Sequence, residues 1–349
     1  MGTTINIDKV GSATTPAHIE GRGVSISGDR RSASVGDVVA VRALSESVTY
    51  GNLELRSGRL AKINTGDVLL GVLGERRALK GFVGVVPATV ATGGRLHLLN
   101  MGGVIGECQG HHSSLSDAIA VEVLGTVCDG DGFAVNIQDT ALAHSESLTL
   151  RAPLVVVAGT CMNSGKTVAG IEIVRQATNA GYRVAAAKLT GVACLRDTLN
   201  MEDHGAFATA SFLDCGLPST VNRNDLAPMA KGILNHLDSK DPNLIVVELG
   251  DGIVGGYGVE SILSDPEFSS AISSFVFCAS DYVGVIGGVE VLRDLGLSID
   301  VVAGSVTDSA MGEEFVAERF GLMAGNARRD GRRLFRLVES AFRTEAAYA

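Results

Sequence analysis

From residue 151 onward, short apolar runs alternate with longer stretches that have the periodicity of amphipathic helices. Five of these runs are predominantly apolar and have the length of a strand: 154–158, 184–187, 244–247, 275–278 and 299–303. Strands that are apolar on both faces are typical of a parallel sheet covered by helices on each side. The pattern therefore predicts an α/β domain with a mainly parallel sheet over residues 151–349.

The preceding part of the chain has a different pattern. Short β-rich runs broken by glycine occur at 38–41, 53–55, 68–73, 82–86, 96–99 and 120–124. They predict a β-rich accessory domain, similar to a barrel or a sandwich, over residues 35–150. Residues 1–34 are polar and rich in Gly and Ser, which predicts an irregular arm with one short strand. We expect the two main domains to join near residues 148–153.

The run 154–167, Leu-Val-Val-Val-Ala-Gly-Thr-Cys-Met-Asn-Ser-Gly-Lys-Thr, leads from the first apolar strand of the α/β domain into a helical pattern. In such a turn backbone N–H groups converge on an anion, the helix adds the positive end of its dipole, the lysine reaches phosphates and the threonine hydroxyl ligates Mg²⁺. Five residues separate the two glycines, one more than in the usual pattern. The predicted nucleotide-binding residues are Gly159, Thr160, Asn163, Ser164, Gly165, Lys166 and Thr167.

Two further residues stand where apolar strands end, and ligands of parallel sheets bind at that edge. Glu248 ends the run 243–248 and is followed by Gly-rich sequence, a position suited to an acid that holds Mg²⁺. Lys188 ends the second strand and is suited to stabilising a transferring phosphoryl group. We therefore expect Lys166, Lys188 and Glu248 to be the catalytic residues.

Two acidic residues between the second and third apolar runs offer a further carboxylate to Mg²⁺. Asp203 is the preferred candidate and Asp197 the second, although acids in this segment could equally complement the dipole of a helix that starts there. Asp251 is either a second acid on the metal side or an ordinary turn residue in Gly-Asp-Gly.

These residues resemble the dethiobiotin synthetase and cobyrinic-acid amidase branch of P-loop proteins, together with related domains of molybdopterin-guanine dinucleotide synthesis. The resemblance covers residues 153 to about 310 and includes the five-residue spacing, Lys188-Leu-Thr-Gly, Asp203 and Glu248-Leu-Gly-Asp-Gly. It implies ATP and Mg²⁺ as cofactors. It also implies that Lys166 and Lys188 contact phosphate and that Thr167, Asp203 and Glu248 surround the metal. Leu189, Leu249 and Cys161 depart from the residues common in that branch.

Composition narrows the class of partner. The net charge is −10 and no basic run occurs, which argues against nucleic acid and against an anionic membrane, and favours a small-molecule substrate. The six Cys show no paired spacing and read as reduced thiols. The longest apolar runs have strand length, and the N-terminus lacks the pattern of a signal peptide, so we expect a cytoplasmic protein without a membrane span. A homodimer is an open alternative.

The leading hypothesis is an ATP- and Mg²⁺-dependent ligase or synthetase that activates a small carboxylate-type anion by phosphorylation. A transferase that binds the phosphates of a cofactor such as coenzyme A is one alternative, and a nucleotide-switched binding or delivery protein is another. The polar segment 108–117, with His111 and His112, is expected to be a loop that contributes acceptor specificity.

Overall fold

A computed structural model describes residues 3–346, so residues 1–2 of the predicted arm and 347–349 of the predicted α/β domain lie outside the described residues. The chain forms two compact units. The β unit contains the chain up to Leu142 and two later segments, Val192–Arg196 and Phe212–Val221. The α/β unit contains the rest, starting at Ala143. The sequence predicted a single join near 148–153, whereas the described chain passes between the units several times.

The β unit contains fourteen strands among the described residues. They are β1 (Thr3–Asn6), β2 (Lys9–Val10), β3 (Gly23–Ser27), β4 (Arg31–Ser32), β5 (Val38–Ala43), β6 (Asn52–Glu54), β7 (Leu60–Lys62), β8 (Val68–Leu73), β9 (Arg76–Arg77), β10 (Phe82–Val85), β11 (Thr89–Val90), β12 (Arg95–Leu98), β13 (Val104–His111) and β14 (Ala120–Val127). Two 3₁₀ helices, Ser12–Ala17 and Ile137–Thr140, complete it.

Five of these strands close on themselves. In the order β14, β5, β8, β13 and β12 each strand pairs with the next, and β12 pairs back with β14. Alternate residues of these strands, such as Val39, Val41, Val121 and Val123, are buried in one apolar cluster. The period-2 alternation therefore builds a small barrel with a filled interior, and the predicted β-rich barrel-like domain is confirmed.

Two local expectations differ from the structure. Residues 3–32 contain β1 to β4 and one 3₁₀ helix instead of an irregular arm with one strand. Their polar composition hid strands such as β3, in which only alternate residues are buried. Cys108 and His111 lie within β13, so only the later part of the segment 108–117 is a loop. The alternating exposure of β13 residues explains why a polar sequence forms a strand there.

The α/β unit contains seven strands, eight α-helices and one 3₁₀ helix (Ser305–Thr307) among the described residues. The strands are β15 (Leu154–Gly159), β16 (Val184–Thr190), β17 (Ala208–Ser211), β18 (Leu244–Leu249), β19 (Ile272–Cys278), β20 (Val301–Ala303) and β21 (Met323–Ala324). The helices are α1 (Lys166–Asn179), α2 (Arg196–Asp203), α3 (Ala227–Asp238), α4 (Val259–Leu263), α5 (Pro266–Ser270), α6 (Tyr282–Asp294), α7 (Ala310–Phe320) and α8 (Ala327–Ala346).

The seven strands form one parallel sheet in the order β17-β16-β18-β15-β19-β20-β21. All five predicted strands are present, and the predicted α/β class is confirmed. Strand β15 lies in the centre between β18 and β19, and the chain leaves it to build one half of the sheet before returning to build the other. This is a topological switch point, and the carboxyl ends of β15, β16 and β18 meet there.

One face of the sheet is covered by α1, which packs against β15 and β18, and by α8, which packs against β19; their Ile173, Leu334 and Val338 are fully buried. This packing fixes the start of α1 at the switch-point edge. None of the helices between residues 3 and 346 combines the length and the apolar character needed to cross a membrane.

Candidate functional site

The turn between β15 and α1 has the backbone of a phosphate-binding loop. Asn163 and Gly165 both adopt left-handed conformations, with φ of 66° and 104°. Gly304 lies against the loop so closely that a Cβ there would come within 2.2 Å of the Ser164 carbonyl oxygen, and the Ser305 N–H donates to that oxygen at 3.1 Å. The loop is therefore fixed by backbone contacts and by glycines that no larger residue could replace without a shift.

Lys166 is the first residue of α1 and is only 5% exposed. Its Nζ donates to the carbonyl oxygen of Cys161, inside the same loop, at 2.7 Å. Burial lowers the pKa of the Lys166 ammonium, and attraction to Glu248 only partly opposes this. No carboxylate lies within ion-pair distance of Lys166 among the side chains of residues 3–343. The loop thus holds a buried cation without a counter-ion, which suits it to an anionic ligand.

The other predicted polar residues meet beside this loop. The Thr167 hydroxyl donates to Glu248 Oε1 at 3.0 Å, and Lys188 Nζ lies 3.1 Å from the same oxygen. Lys188 also forms an ion pair with Asp197. Burial disfavours the charge on Lys188, but the two carboxylates outweigh burial and raise its pKa. Lys188 therefore keeps its positive charge at neutral pH.

Two buried oxygen atoms in this group make no hydrogen bond within the described part of the chain. They are Ser164 Oγ and Glu248 Oε2, and Glu248 is only 1% exposed. Unsatisfied buried polar atoms are costly, which indicates a missing polar ligand. A hydroxyl and a carboxylate with a free oxygen supply the oxygen ligands that Mg²⁺ prefers. Thr167 and Glu248 therefore fit Mg²⁺, although the side chains of residues 3–343 include no group of three or more His, Cys, Asp or Glu arranged as a metal site.

Asp203 does not join this group. It is exposed at the end of α2, and the residues that follow it contact the opposite edge of the sheet. The Thr178 hydroxyl, in the last turn of α1, donates to the Gly205 carbonyl, and the Phe207 N–H donates to Val184, the first residue of β16. The structure thus does not bring Asp203 together with Thr167 and Glu248, the other two residues predicted to surround the metal. Asp197, one residue after the start of α2, is the carboxylate beside Lys188.

Replacing each of these aspartates by asparagine will distinguish the role of Asp197 from that of Asp203. Asp197→Asn removes one of the two negative charges that hold Lys188 in place, so we expect turnover of the nucleotide to fall at least about tenfold, in line with the loss caused by removing residues that orient a site. Asp203→Asn is the matched control, because it makes the same change on the same helix at an exposed position, and it will leave turnover unchanged. A loss with Asp203→Asn and none with Asp197→Asn, in steady-state phosphate release, contradicts this assignment.

The Gly-rich segment after β18 packs on the loop. The Ile253 N–H donates to the Gly159 carbonyl at 2.9 Å, and a Cβ at Gly252 would come within 2.3 Å of the Thr160 carbonyl. Asp251 has a left-handed backbone with φ of 68°, and burial raises its pKa while Lys166 opposes the shift. Among the described residues Asp251 makes no hydrogen bond to Thr167 or Glu248, so it fits the turn interpretation.

On the other side of Thr160, its hydroxyl lies 3.4 Å from the Ser280 hydroxyl, and the Cys161 thiol lies 3.5 Å from the same group. These small polar groups lie at the mouth of the loop. A separate cleft also borders the loop at the start of α1. It is lined by Gly165, Val168, Gly304, Ser305, Asp308, Asn326, Ala327 and Arg328. The sequence reasoning missed Asn326, which follows the unpredicted strand β21.

The central parallel strand, the left-handed loop and the helix that begins at Lys166 together define the α/β unit as a P-loop domain. No protein-family model matches the chain, and no curated protein matches it. The assignment to this class therefore depends on the strand order and the loop geometry of the chain itself.

The chain is similar to several solved structures. A DUF1611 family protein from Anabaena variabilis has 15% identity and a TM-score of 0.42, over 57% of this chain and 63% of that one. The signal recognition particle receptor FtsY from Elizabethkingia anophelis has 13% identity and a TM-score of 0.39, over 57% and 67%. The signal recognition particle 54 kDa protein from Aeropyrum pernix, in complex with GDP, has 17% identity and a TM-score of 0.38, over 57% and 51%. The matched region spans less than two thirds of the first and third of these proteins.

Proposed function

We propose that this protein is an Mg²⁺-dependent enzyme that uses a nucleoside triphosphate to phosphorylate a small carboxylate-type anion, in the manner of the ligase and synthetase branch that its sequence resembles. The observation that carries the proposal is the hydrogen-bonded group of Thr167, Glu248, Lys188 and Asp197 beside the buried Lys166. Net charge favours a small-molecule substrate over nucleic acid or a membrane surface. We place the reaction in the cytoplasm and keep a homodimer as part of the proposal.

Each residue has a separate task in this reaction. Lys166 exchanges the Cys161 carbonyl for a phosphate oxygen and so gains the counter-ion that it lacks. The backbone N–H groups of the loop and the start of α1 bind the remaining phosphate charge. Thr167 and Glu248 would hold Mg²⁺, which when bound neutralises charge on the phosphates.

Lys188 acts on the group that is transferred. It is held by two carboxylates and remains charged, so it supplies a fixed positive charge at the edge of the sheet where the terminal phosphate would lie. Phosphorylation of a carboxylate brings two anions together, and a fixed cation lowers the cost of that approach. The hydroxyls of Thr160 and Ser280 at the mouth of the loop are suited to orienting the acceptor.

The experiment measures an activated carboxylate directly. The protein is incubated with Mg²⁺, ATP or GTP, a panel of small carboxylic acids and hydroxylamine, which converts acyl phosphates into hydroxamates. We expect hydroxamate that depends on protein, Mg²⁺ and nucleoside triphosphate. Calorimetry with ATP, GTP and coenzyme A, with and without Mg²⁺, accompanies it. Tight binding of coenzyme A without Mg²⁺, and no hydroxamate, favours a transferase. Slow hydrolysis alone, stimulated by a protein partner, favours a switch.

A further inference from the structure

The β unit contains a buried cation that no acid neutralises. Arg76, in β9, is only 4% exposed, and none of the carboxylates among the side chains of residues 3–343 lies within ion-pair distance of it. A guanidinium stays charged in a protein, and a buried charge is costly without a partner. Lys231, which is buried to the same degree, has two carboxylates within 3.1 Å. Arg76 therefore shares with Lys166 the signature of a cation that lacks its anion.

The hydrogen bonds of Arg76 leave part of the guanidinium unused. Its Nη1 donates to the Leu99 carbonyl oxygen, and its Nη2 donates to the Tyr50 hydroxyl at 2.8 Å. Its Nε is buried and has no acceptor within the described part of the chain. The guanidinium carbon lies 4.8 Å from the centroid of the Tyr50 ring, and this cation–π contact offsets part of the cost of burial. The N–H groups in the plane of the guanidinium still suit an anion.

Tyr50 is held beside Arg76 in an unusual backbone conformation. Its φ is 54°, in the left-handed region that a bulky side chain seldom adopts. Its ring centroid lies 5.5 Å from that of Phe82, which fixes the ring as well as the hydroxyl. Strained residues persist only where their surroundings hold them, and they are common at ligand-binding sites. The strain at Tyr50 therefore points to a ligand near its hydroxyl.

A glycine leaves room next to the guanidinium. A Cβ at Gly81 would come within 2.9 Å of Arg76 Nη2. Gly81 does not have a positive φ, so a left-handed backbone is not the reason for a glycine here. The surroundings form a small apolar cluster of Phe82, Leu99 and Ala118, with Tyr50, Cys108 and Leu115 packed against it. The site thus combines one cation with apolar walls.

The polar residues 112–117 adjoin this cluster. Leu115 packs against it, and the Ser116 hydroxyl lies 2.9 Å from the Ser47 hydroxyl and 3.0 Å from the Thr49 hydroxyl. These hydrogen bonds are exposed, so water can replace them, and a segment held by such bonds opens at a low cost in free energy. Opening of this segment gives a small molecule a route to the cluster.

We infer that Arg76 is the centre of a binding site for a small monocarboxylate with an apolar body. The planar guanidinium matches the two oxygens of a carboxylate. A single fixed cation among apolar side chains favours one negative charge over the two of a phosphate. The Tyr50 hydroxyl is a positioning group that orients the guanidinium. The inference concerns the β unit alone and does not rest on the proposed function.

The test measures the binding of benzoate, phenylacetate and isobutyrate by calorimetry without nucleotide. Benzyl alcohol, an uncharged molecule of similar shape to benzoate, is the comparison. We expect wild-type protein to bind at least one of the acids, and benzoate at least about tenfold more tightly than benzyl alcohol, since hydrogen bonds between charged groups are the stronger ones. Arg76→Met will lose at least about tenfold in affinity for the acids.

Two variants serve as controls. Arg42→Met makes the same exchange at an exposed arginine of β5, which pairs with Glu122, and it will leave the affinities unchanged. Lys166→Met will also keep them, because it alters the phosphate-binding loop and not the site at Arg76.

Alkylation of cysteines locates the site in wild-type protein and does not depend on the folding of a variant. Cys108 is partly exposed and packs against the cluster, so the bound acid will slow its reaction with iodoacetamide. Cys161, which is also partly exposed but lies in the phosphate-binding loop, will react at an unchanged rate. Peptide mass spectrometry measures both rates in one sample.

The inference is overturned if none of the three acids binds, if benzyl alcohol binds as tightly as benzoate, or if Arg76→Met keeps the wild-type affinity. Slower alkylation of Cys161 with no effect on Cys108 also overturns it. None of these results bears on the nucleotide-dependent reaction, which the hydroxamate assay tests separately.

Discussion

Lys166→Met will lose about 10- to 100-fold in nucleotide affinity, and its thermal stability will equal or exceed that of the wild type. A hydrogen bond to a charged group contributes about 1.5–3 kcal/mol, and each 1.4 kcal/mol is about tenfold in affinity. The expected thermal stability follows from the surroundings of Lys166 when no nucleotide is bound. Lys166 is buried, its pKa is lowered, and it donates to the Cys161 carbonyl instead of an acid. Methionine fills the same space without a charge to desolvate.

Calorimetric titration with nucleotide measures the affinity, and thermal denaturation without ligand measures the stability. Lys240→Met is the control, because it makes the same exchange at an exposed position beyond the end of α3. It will change neither quantity. Wild-type affinity in Lys166→Met means that the loop does not bind phosphate through this residue, and the proposed function then fails. A lower melting temperature in Lys166→Met alone means that the ammonium stabilises the loop.

Glu248→Gln is expected to reduce turnover at least about 100-fold, because residues that only orient a metal ligand already cost about 10–100-fold when removed. The glutamine carbonyl oxygen can still accept from Thr167 and Lys188. The amide lacks the negative charge that the second oxygen, Oε2, offers to Mg²⁺. Nucleotide affinity should change little, since Lys166 and the backbone of the loop are untouched.

Phosphate release at several Mg²⁺ concentrations tests the role of Glu248. In Glu248→Gln the Mg²⁺ concentration needed for half-maximal turnover will rise, whereas Asp203→Asn will follow the wild-type curve. If turnover falls while the Mg²⁺ requirement stays the same, Glu248 acts on Lys188 and not on the metal. Unchanged turnover means that Glu248 has no catalytic role and is only a polar residue at the end of a strand.

The sheet was predictable where the chain carries runs of apolar residues. The two missed strands, β17 and β21, have the sequences Ala-Thr-Ala-Ser and Met-Ala. Neither has the length and apolar character of a buried strand. Because β21 was not predicted, Asn326 was not recognised either. A residue can be assigned to the carboxyl-end edge of the sheet only when the strand before it has been predicted.

That Asp197, and not the preferred candidate Asp203, lies beside Lys188 was missed for a different reason. Segment 196–203 is mostly polar, so the start of a helix at Arg196 leaves no apolar periodicity to show it. The sequence therefore favoured the acid closest to the next apolar stretch. The residues of the loop itself were predictable, because each type has a local task there. The contact between Gly304 and Ser164 could not be predicted, since it joins residues far apart in the chain.

The interleaving of the two units has a consequence for how the protein is made. When residue 142 leaves the ribosome, the β unit still lacks Val192–Arg196 and Phe212–Val221. The second of these segments carries Phe212, Leu213 and Leu217, all buried in the finished structure. The β unit therefore cannot be completed, during vectorial synthesis, until part of the α/β unit has emerged. Cutting the gene near codon 150 would leave one product without these side chains and the other with them exposed to water.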